Sequence, residues 1–313
     1  MENRSNSKVT EFIIIGFSDV PELYVLLFVF FLSVYMLTLV GNFLLILVIC
    51  SSPTLYTPMY FLLCNLSLLE IVYTSVSSPE QIHIIVTSNG SVSFKKCMAQ
   101  LYFFIAFGST EYFLLTIMSF DRYVAVCRPL HYTLIMNKRV CILGAASTWL
   151  GGFLASVPIT TVSSNLNYCS SNIVNHIFCD IAALTQISCG DKTVIRNIIL
   201  GQGVVLVMTS FMLTITSYVH IILTIVKIQS LKGKYKAFST CASHLTIVSL
   251  FYFLVFLLYM RPESAISLNQ GKILVVLYAY LIPLLNPIVY SFRNKDVKLA
   301  LRKMLLKMKL DWL

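Results

Sequence analysis

Long apolar stretches alternate with short polar ones along the whole chain. Runs able to cross about 30 Å of hydrocarbon fall near 23–49, 58–79, 98–120, 140–160, 197–226, 238–260 and 273–292. They predict seven membrane-spanning helices with short loops, in one all-α bundle over residues 23–292 and no separate large domain. Residues 1–22 are mixed and polar and precede the bundle as an outer segment. With no secretory signal ahead of the first run, that span is expected to serve as its own uncleaved signal. Residues 293–313 form an inner tail. There Val297, Leu301, Met304, Leu305 and Met308 share one helical stripe opposite Lys298 and Arg302. That pattern predicts an amphipathic eighth helix lying on the inner leaflet.

Composition agrees with the pattern. The 313 residues are 58% hydrophobic and only 12% charged, against about 25% charged in soluble domains. The net charge of +10 would suggest nucleic acid in a soluble protein. Here its distribution points to anionic lipid, because basic residues collect on the cytoplasmic side. Arg122, Arg128, Lys138 and Arg139 lie between spans three and four, and Lys227, Lys232, Lys234 and Lys236 between five and six. Arg293, Lys295, Lys298, Arg302, Lys303, Lys307 and Lys309 follow span seven. This bias places the N-terminus outside, in a multi-pass protein of the plasma membrane. Glycosylation sequons at Asn3 and Asn89 then face outward. A third, at Asn65, lies within a span and is expected to stay unmodified.

Few polar groups enter the spans, so each carries information. Asn42 is expected to face the bundle, where an amide finds partners. Glu70 and Glu111 are the carboxylates furthest from any loop. A rise of about 1.5 Å per residue sets Glu70 roughly 18 Å from Pro58 and Glu111 roughly 16 Å from Arg122. At that shared depth a cation or a shared proton is expected between them, the alternative being two separately hydrogen-bonded acids. The outer half of span three, Cys97 to Thr110, carries no charge, which suits an apolar or weakly polar ligand. Gly151-Gly152 in span four permits close helix contact. Cys97, Cys169, Cys179 and Cys189 share the oxidising side and allow three disulfide connectivities. A thiol metal site with His176 is the less favoured alternative. Cys50, Cys64, Cys127, Cys141 and Cys241 are expected to be free.

Four strings carry a family resemblance. Met118–Tyr132 reads MSFDRYVAVCRPLHY, whose D-R-Y resembles the rhodopsin-like G-protein-coupled receptors. Its continuation through Cys127, Pro129, Leu130, His131 and Tyr132 resembles the odorant receptors. LYTPMYFLLCNLSLLE (Leu55–Glu70) is similar to the same family, particularly its land-vertebrate branch, and KAFSTCASHL (Lys236–Leu245) is similar to the odorant receptors, while PLLNPIVYSFRNKDV (Pro283–Val297) resembles the N-P-x-x-Y switch of the rhodopsin-like class. The resemblance runs roughly from Thr10 to Leu305. It implies the pairings Cys97–Cys179 and Cys169–Cys189, and a sodium site at Glu70 (Asp in most members) and Glu111. It assigns G-protein coupling and switching to Asp121, Arg122, Tyr123, Tyr218, His244, Asn286, Pro287 and Tyr290. A pocket for a small volatile would be lined by Phe104, Ile105, Gly108, Ser109, Gln202, Leu206, Tyr252, Val255, Tyr259 and Ala279. Members usually carry glycine where this chain has Phe253, so that ring is expected to fill pocket volume or shift helix packing.

Other functions fit less well. The chain has no P-loop, H-E-x-x-H or G-x-S-x-G, so an enzyme is not expected. A transporter would favour paired repeats with broken helices, and a channel a polar pore stripe; neither pattern occurs. No lysine lies between Ile273 and Phe292, which removes a retinal Schiff base from that span. The expectation is an odorant receptor acting through a stimulatory olfactory-type G protein, in contact with membrane lipid and not nucleic acid. No cofactor is implied beyond a sodium ion. The nearest rival is a rhodopsin-like receptor for a non-odorant small ligand or lipid.

Overall fold

A computed structural model describes residues 9–17, 21–169, 171–259 and 268–311. The seven apolar runs are helices, as expected in lipid, where every backbone N–H and C=O must be satisfied within the chain. They are α1 (Tyr24–Ser51), α2 (Pro58–Thr87), α3 (Phe94–Cys127), α4 (Lys138–Ser164), α5 (Thr193–Lys227) and α6 (Leu231–Tyr259). The seventh, α7, joins Leu268–Val276, Leu277–Leu281 and Ile282–Arg293; an eighth helix, α8, spans Lys295–Asp311.

Most helices outrun the hydropathy boundaries, because a polar residue at the membrane surface does not interrupt an α-helical ladder. Local chemistry ends them instead. The Ser93 hydroxyl accepts from Lys96 N at the start of α3, and Asn137 Oδ1 accepts from Val140 N at the start of α4. Pro58 opens α2, and Ser88 closes it in the left-handed region at φ 53°.

The bundle closes as a ring: α1 packs on α2 and α7, α7 on α6, and α6 on α5. Helix α3 runs through the middle, touching α2, α4, α5 and α6. The α3–α4 seam depends on Gly152, where a Cβ would fall 2.0 Å from Thr110 Oγ1 and 2.5 Å from Ala106 O. Its neighbour Gly151 faces only the movable Phe113 ring, at 3.1 Å. The predicted small-residue contact therefore rests on one glycine of the pair.

Two regions depart from the sequence reading. The N-terminal segment is folded onto the bundle: Glu11–Ile14 forms β1, antiparallel to β2 (Ser91–Ser93) and parallel to β3 (Ile173–Val174). Phe12 and Ile14 point inward and are buried, while Glu11 and Ile13 face out, the period-two pattern of a half-buried strand. Gly90 permits this closure, since a Cβ there would overlap Ile14 O. In addition, Phe253 is 60% exposed on the lipid side of α6. It therefore neither fills the pocket nor enters a helix seam. On α8, Val297 is buried and Leu301 and Met304 pack on the core, but Leu305 turns outward and is exposed; the Met308 side chain lies outside the described residues.

Candidate functional site

The half of the bundle that carries the N-terminal segment, called the outer half below, contains a cavity of about 150 Å³ between α3 and α5, under the loop joining α4 to α5. Phe104, Ile105, Gly108 and Ser109 line it from α3, and Gln202 and Leu206 from α5. These are six of the ten positions named from sequence. Gly108 leaves room, because a Cβ there would meet only Tyr278 Oη at 3.4 Å and Tyr73 Oη at 3.6 Å. Gln202 is also a strut: its Nε2 donates to Ala155 O of α4 at 2.6 Å. Gly203–Met208 of α5 is π-helical, and three of its residues besides Leu206 (Gly203, Val204 and Val207) face the cavity. The π-helical stretch Leu277–Leu281 of α7 brings Tyr278 to the same space. Such local unwinding re-aims side chains and recurs at functional sites.

Three positions named from sequence lie elsewhere. Tyr252, Val255 and Ala279 are buried within the bundle core and do not line the cavity. The Tyr252 hydroxyl pairs with Ser210, which also bonds Tyr112 O, so it ties α6 to the α3–α5 seam. Rings of Phe211, Phe251 and Phe256 surround it and occupy the volume an open pocket would need. The Tyr259 side chain lies outside the described residues.

The loop above is held from several directions. Disulfides join Cys97 to Cys179 and Cys169 to Cys189, with Cα separations of 5.4 and 5.9 Å. The other five cysteines are free, as expected. With Cys179 in a disulfide, the alternative metal site with His176 is not formed. Gln100 spans α2 and the loop, donating to Val76 O at 3.0 Å and accepting from Cys179 N at 2.9 Å. Phe178 lies over Phe104, ring centroids 4.4 Å apart. A short helix, Ile181–Ile187, follows, capped by Asp180, whose Oδ1 accepts from Ala182 N at 2.8 Å. Asp180 and Ile181 form part of the cavity roof. Burial holds the His176 imidazole below the usual histidine range, with Asp180 opposing that shift. Lys272 is buried near the outer end of α7 and donates to Gly16 O at 2.6 Å, clasping the N-terminal segment.

At mid-depth, Asn286 Nδ2 donates to Glu70 Oε1. Glu70 Oε2, Glu111 Oε1, Asn286 Oδ1 and Asn42 Oδ1 are buried without hydrogen-bond partners among the described residues. Glu111 lies within electrostatic range of Glu70. Unpartnered oxygens of this kind fit a small hard cation or a shared proton. Among the described residues no group of three or more His, Cys, Asp or Glu side chains gathers as a metal cluster. Nearby, Pro287 leaves the carbonyl of Pro283 without its helical donor, and Asn42 Nδ2 supplies one at 3.1 Å. Gly41 admits the Pro287 ring, which would lie 3.0 Å from a Cβ.

At the inner end, Arg122 curls back onto Asp121, forming a buried ion pair with Nε 2.9 Å from Oδ2. Tyr132 donates to Asp121 Oδ1 at 2.8 Å. A second chain links Ser119 to His244 Nε2 at 3.1 Å and His244 Nδ1 to Tyr290 at 3.0 Å. The Tyr218 ring is 6.0 Å from His244, and its buried hydroxyl has no hydrogen-bond partner among the described residues. Tyr123 lies on the α5 side, its ring 5.8 Å from that of His220. Asp121, Arg122, Tyr218, His244 and Tyr290 thus converge from α3, α5, α6 and α7. Asn286 and Pro287 belong to the layer above. Asn89 is exposed at the end of the bundle that carries the N-terminal segment, whereas Asn65 accepts from Trp149 Nε1 at 3.3 Å within the bundle. Asn3 lies outside the described residues.

Sequence comparison agrees with this architecture. The olfactory receptor family model matches residues 31–308. Olfactory receptor 5AR1 of Mus musculus is 40% identical over 305 residues, covering 97% of this chain and 98% of the relative. Olfactory receptor 6C75 of Homo sapiens is 43% identical with the same coverage, and olfactory receptor 10A7 of Homo sapiens is 43% identical over 299 residues, covering 96% and 95%. With these relatives and seven helices long and apolar enough to span a membrane, the chain belongs to the olfactory receptor family, a multi-pass G-protein-coupled receptor and not an enzyme.

Proposed function

We propose that this receptor binds a small, mainly apolar volatile in the outer cavity and signals through a stimulatory olfactory-type G protein, raising cyclic AMP. The observation that carries the proposal is the cavity beneath a loop tied to α3 by a disulfide. Its walls include Phe104, Ile105, Gly108, Ser109, Gln202 and Leu206. Ser109 and Gln202 supply polar contacts on a largely apolar surface. The N-terminus and Asn89 face outward, with glycosylation at Asn3 and Asn89, and residues 293–313 lie on the inner leaflet.

An agonist acts only by its preference for one packing over the other. The active packing moves α6 outward and releases Arg122 from Asp121. Tyr218 has an unsatisfied buried hydroxyl facing the same space, and Tyr290 exchanges its His244 bond as α7 shifts. The inner cleft that opens receives the G protein. A sodium ion would be held by Glu70 and Glu111, with Asn286 beside them, and would supply the positive charge that their unpartnered oxygens favour.

The test is cyclic AMP in cells expressing this chain with that G protein, across an odorant panel, with surface staining alongside. A dose-dependent rise to one chemical group is expected. Silence across a broad volatile panel with good surface expression, together with a response to a non-volatile lipid or polar metabolite, would replace this function with that of a non-odorant receptor.

A further inference from the structure

Among the described residues the cavity has one acidic side chain, and it comes from the loop. Asp180 is only 5% exposed, yet it faces the space beneath the roof. One oxygen is used: Oδ1 accepts from Ala182 N at 2.8 Å. Among the described residues the ion pairs are Lys96–Glu80 and Arg122–Asp121, so the Asp180 carboxylate enters none. One basic group, His176, lies within electrostatic range of it. Burial lowers the affinity of that imidazole for a proton, against the pull of Asp180, and Lys272 of α7 directs its amine to Gly16 O. The rest of the lining is apolar or hydroxyl-bearing, with Ser109, Tyr73, Tyr112 and Tyr278 as the hydroxyls and Gln202 as the amide. A buried carboxylate in such surroundings favours any group that donates to it, and disfavours one that presents lone pairs.

We infer that Asp180 sets the ligand class of this cavity: a compact hydrophobic molecule carrying a hydrogen-bond donor head, an alcohol or an amine, with the donor under the roof. The inference rests on the outer cavity being the ligand site. Its volume of about 150 Å³ limits the body to about one aromatic ring, since an apolar protein cavity of about that size admits benzene. An aldehyde, ketone or ester of the same shape places an acceptor against the carboxylate and binds less well. An unsubstituted hydrocarbon leaves the roof unpaired.

Purified full-length receptor in detergent, heated with benzyl alcohol, benzylamine, benzaldehyde or toluene, gives binding from the shift in unfolding midpoint with concentration, independently of signalling. The two donors are expected to bind at least about 10-fold more tightly than benzaldehyde and toluene. Asp180→Asn keeps an oxygen for the Ala182 cap, so it tests chemistry with the loop intact. It should weaken benzylamine by about 10- to 100-fold and benzyl alcohol less. Asp180→Ala should erase the preference altogether. The inference is overturned if benzaldehyde or toluene binds wild type as tightly as the donors. It is equally overturned if Asp180→Asn leaves benzylamine unchanged, or if none of the four compounds stabilises folded receptor. Stabilisation by donors without cyclic AMP in cells would defeat the proposed coupling and leave this inference standing. A cyclic AMP response confined to aldehydes or hydrocarbons would do the reverse.

Discussion

The outer and inner halves of the bundle solve opposite problems with the same helices. Outside, α5 and α7 loosen into π-helical stretches at Gly203–Met208 and Leu277–Leu281, and a cavity opens beside both. Inside, the helices stay regular and polar side chains fill the space, with Asp121, Arg122 and Tyr132 in one network and Ser119, His244 and Tyr290 in another. A loosened, mostly apolar wall tolerates ligands of varied shape. A satisfied polar network instead has discrete arrangements, because a half-broken one leaves buried groups unpaired. The division suggests recognition at one end and switching at the other, with α3 common to both.

The sharpest way to break this contrast is at the inner end. Arg122→Ala should abolish the cyclic AMP response while surface protein persists, as read by antibody staining. Next in size is the shared helix. Gly152→Ala forces a Cβ into Thr110 and Ala106 and should cost about 3 kcal/mol or more, seen as lost surface expression and a lowered unfolding midpoint. Gly151→Ala, against a ring that can turn, should cost less than about 1 kcal/mol in the same assays. In the cavity, Gly108→Leu should raise the half-maximal agonist concentration by about tenfold or more at normal surface level, because it removes ligand volume. At mid-depth, Glu111→Gln should shift basal activity or sodium sensitivity by a few-fold, at about the scale of 1 kcal/mol. An unchanged basal level and sodium response would separate the carboxylates from the switch. Smallest of all, Phe253→Gly should leave agonist potency within about threefold, since the ring faces lipid and gives up only a helix-propensity increment of about 1 kcal/mol.

The parts legible in sequence were those governed by the membrane and by local strings. Seven apolar runs became seven helices, and six of the pocket positions implied by the family resemblance face the cavity from α3 and α5. Both disulfides implied by the family resemblance are present. What failed depended on rotation and on loop folding, which hydropathy does not encode. Tyr252, Val255 and Ala279 have suitable depth but turn into helix seams. Phe253, one residue on from Tyr252, turns outward. Asp180 escaped notice because it belongs to a loop, and only the chain reversal after Cys179 brings it over the pocket. The β1 strand did carry a signal, since Glu11-Phe12-Ile13-Ile14 holds a period-two element, but four residues are too few to distinguish from an irregular tail. Ser119 and His244, 125 residues apart, left no local trace of their hydrogen bond.

The most direct test of separate recognition and switching is to measure binding and signalling side by side in two variants, Gly108→Leu and Arg122→Ala. Ligand-dependent thermal stabilisation reads the first, and cyclic AMP in cells with verified surface protein reads the second. The account predicts that Gly108→Leu weakens both, whereas Arg122→Ala keeps the stabilisation and loses the cyclic AMP. A full cyclic AMP response from Arg122→Ala, or undiminished binding in Gly108→Leu, would contradict it.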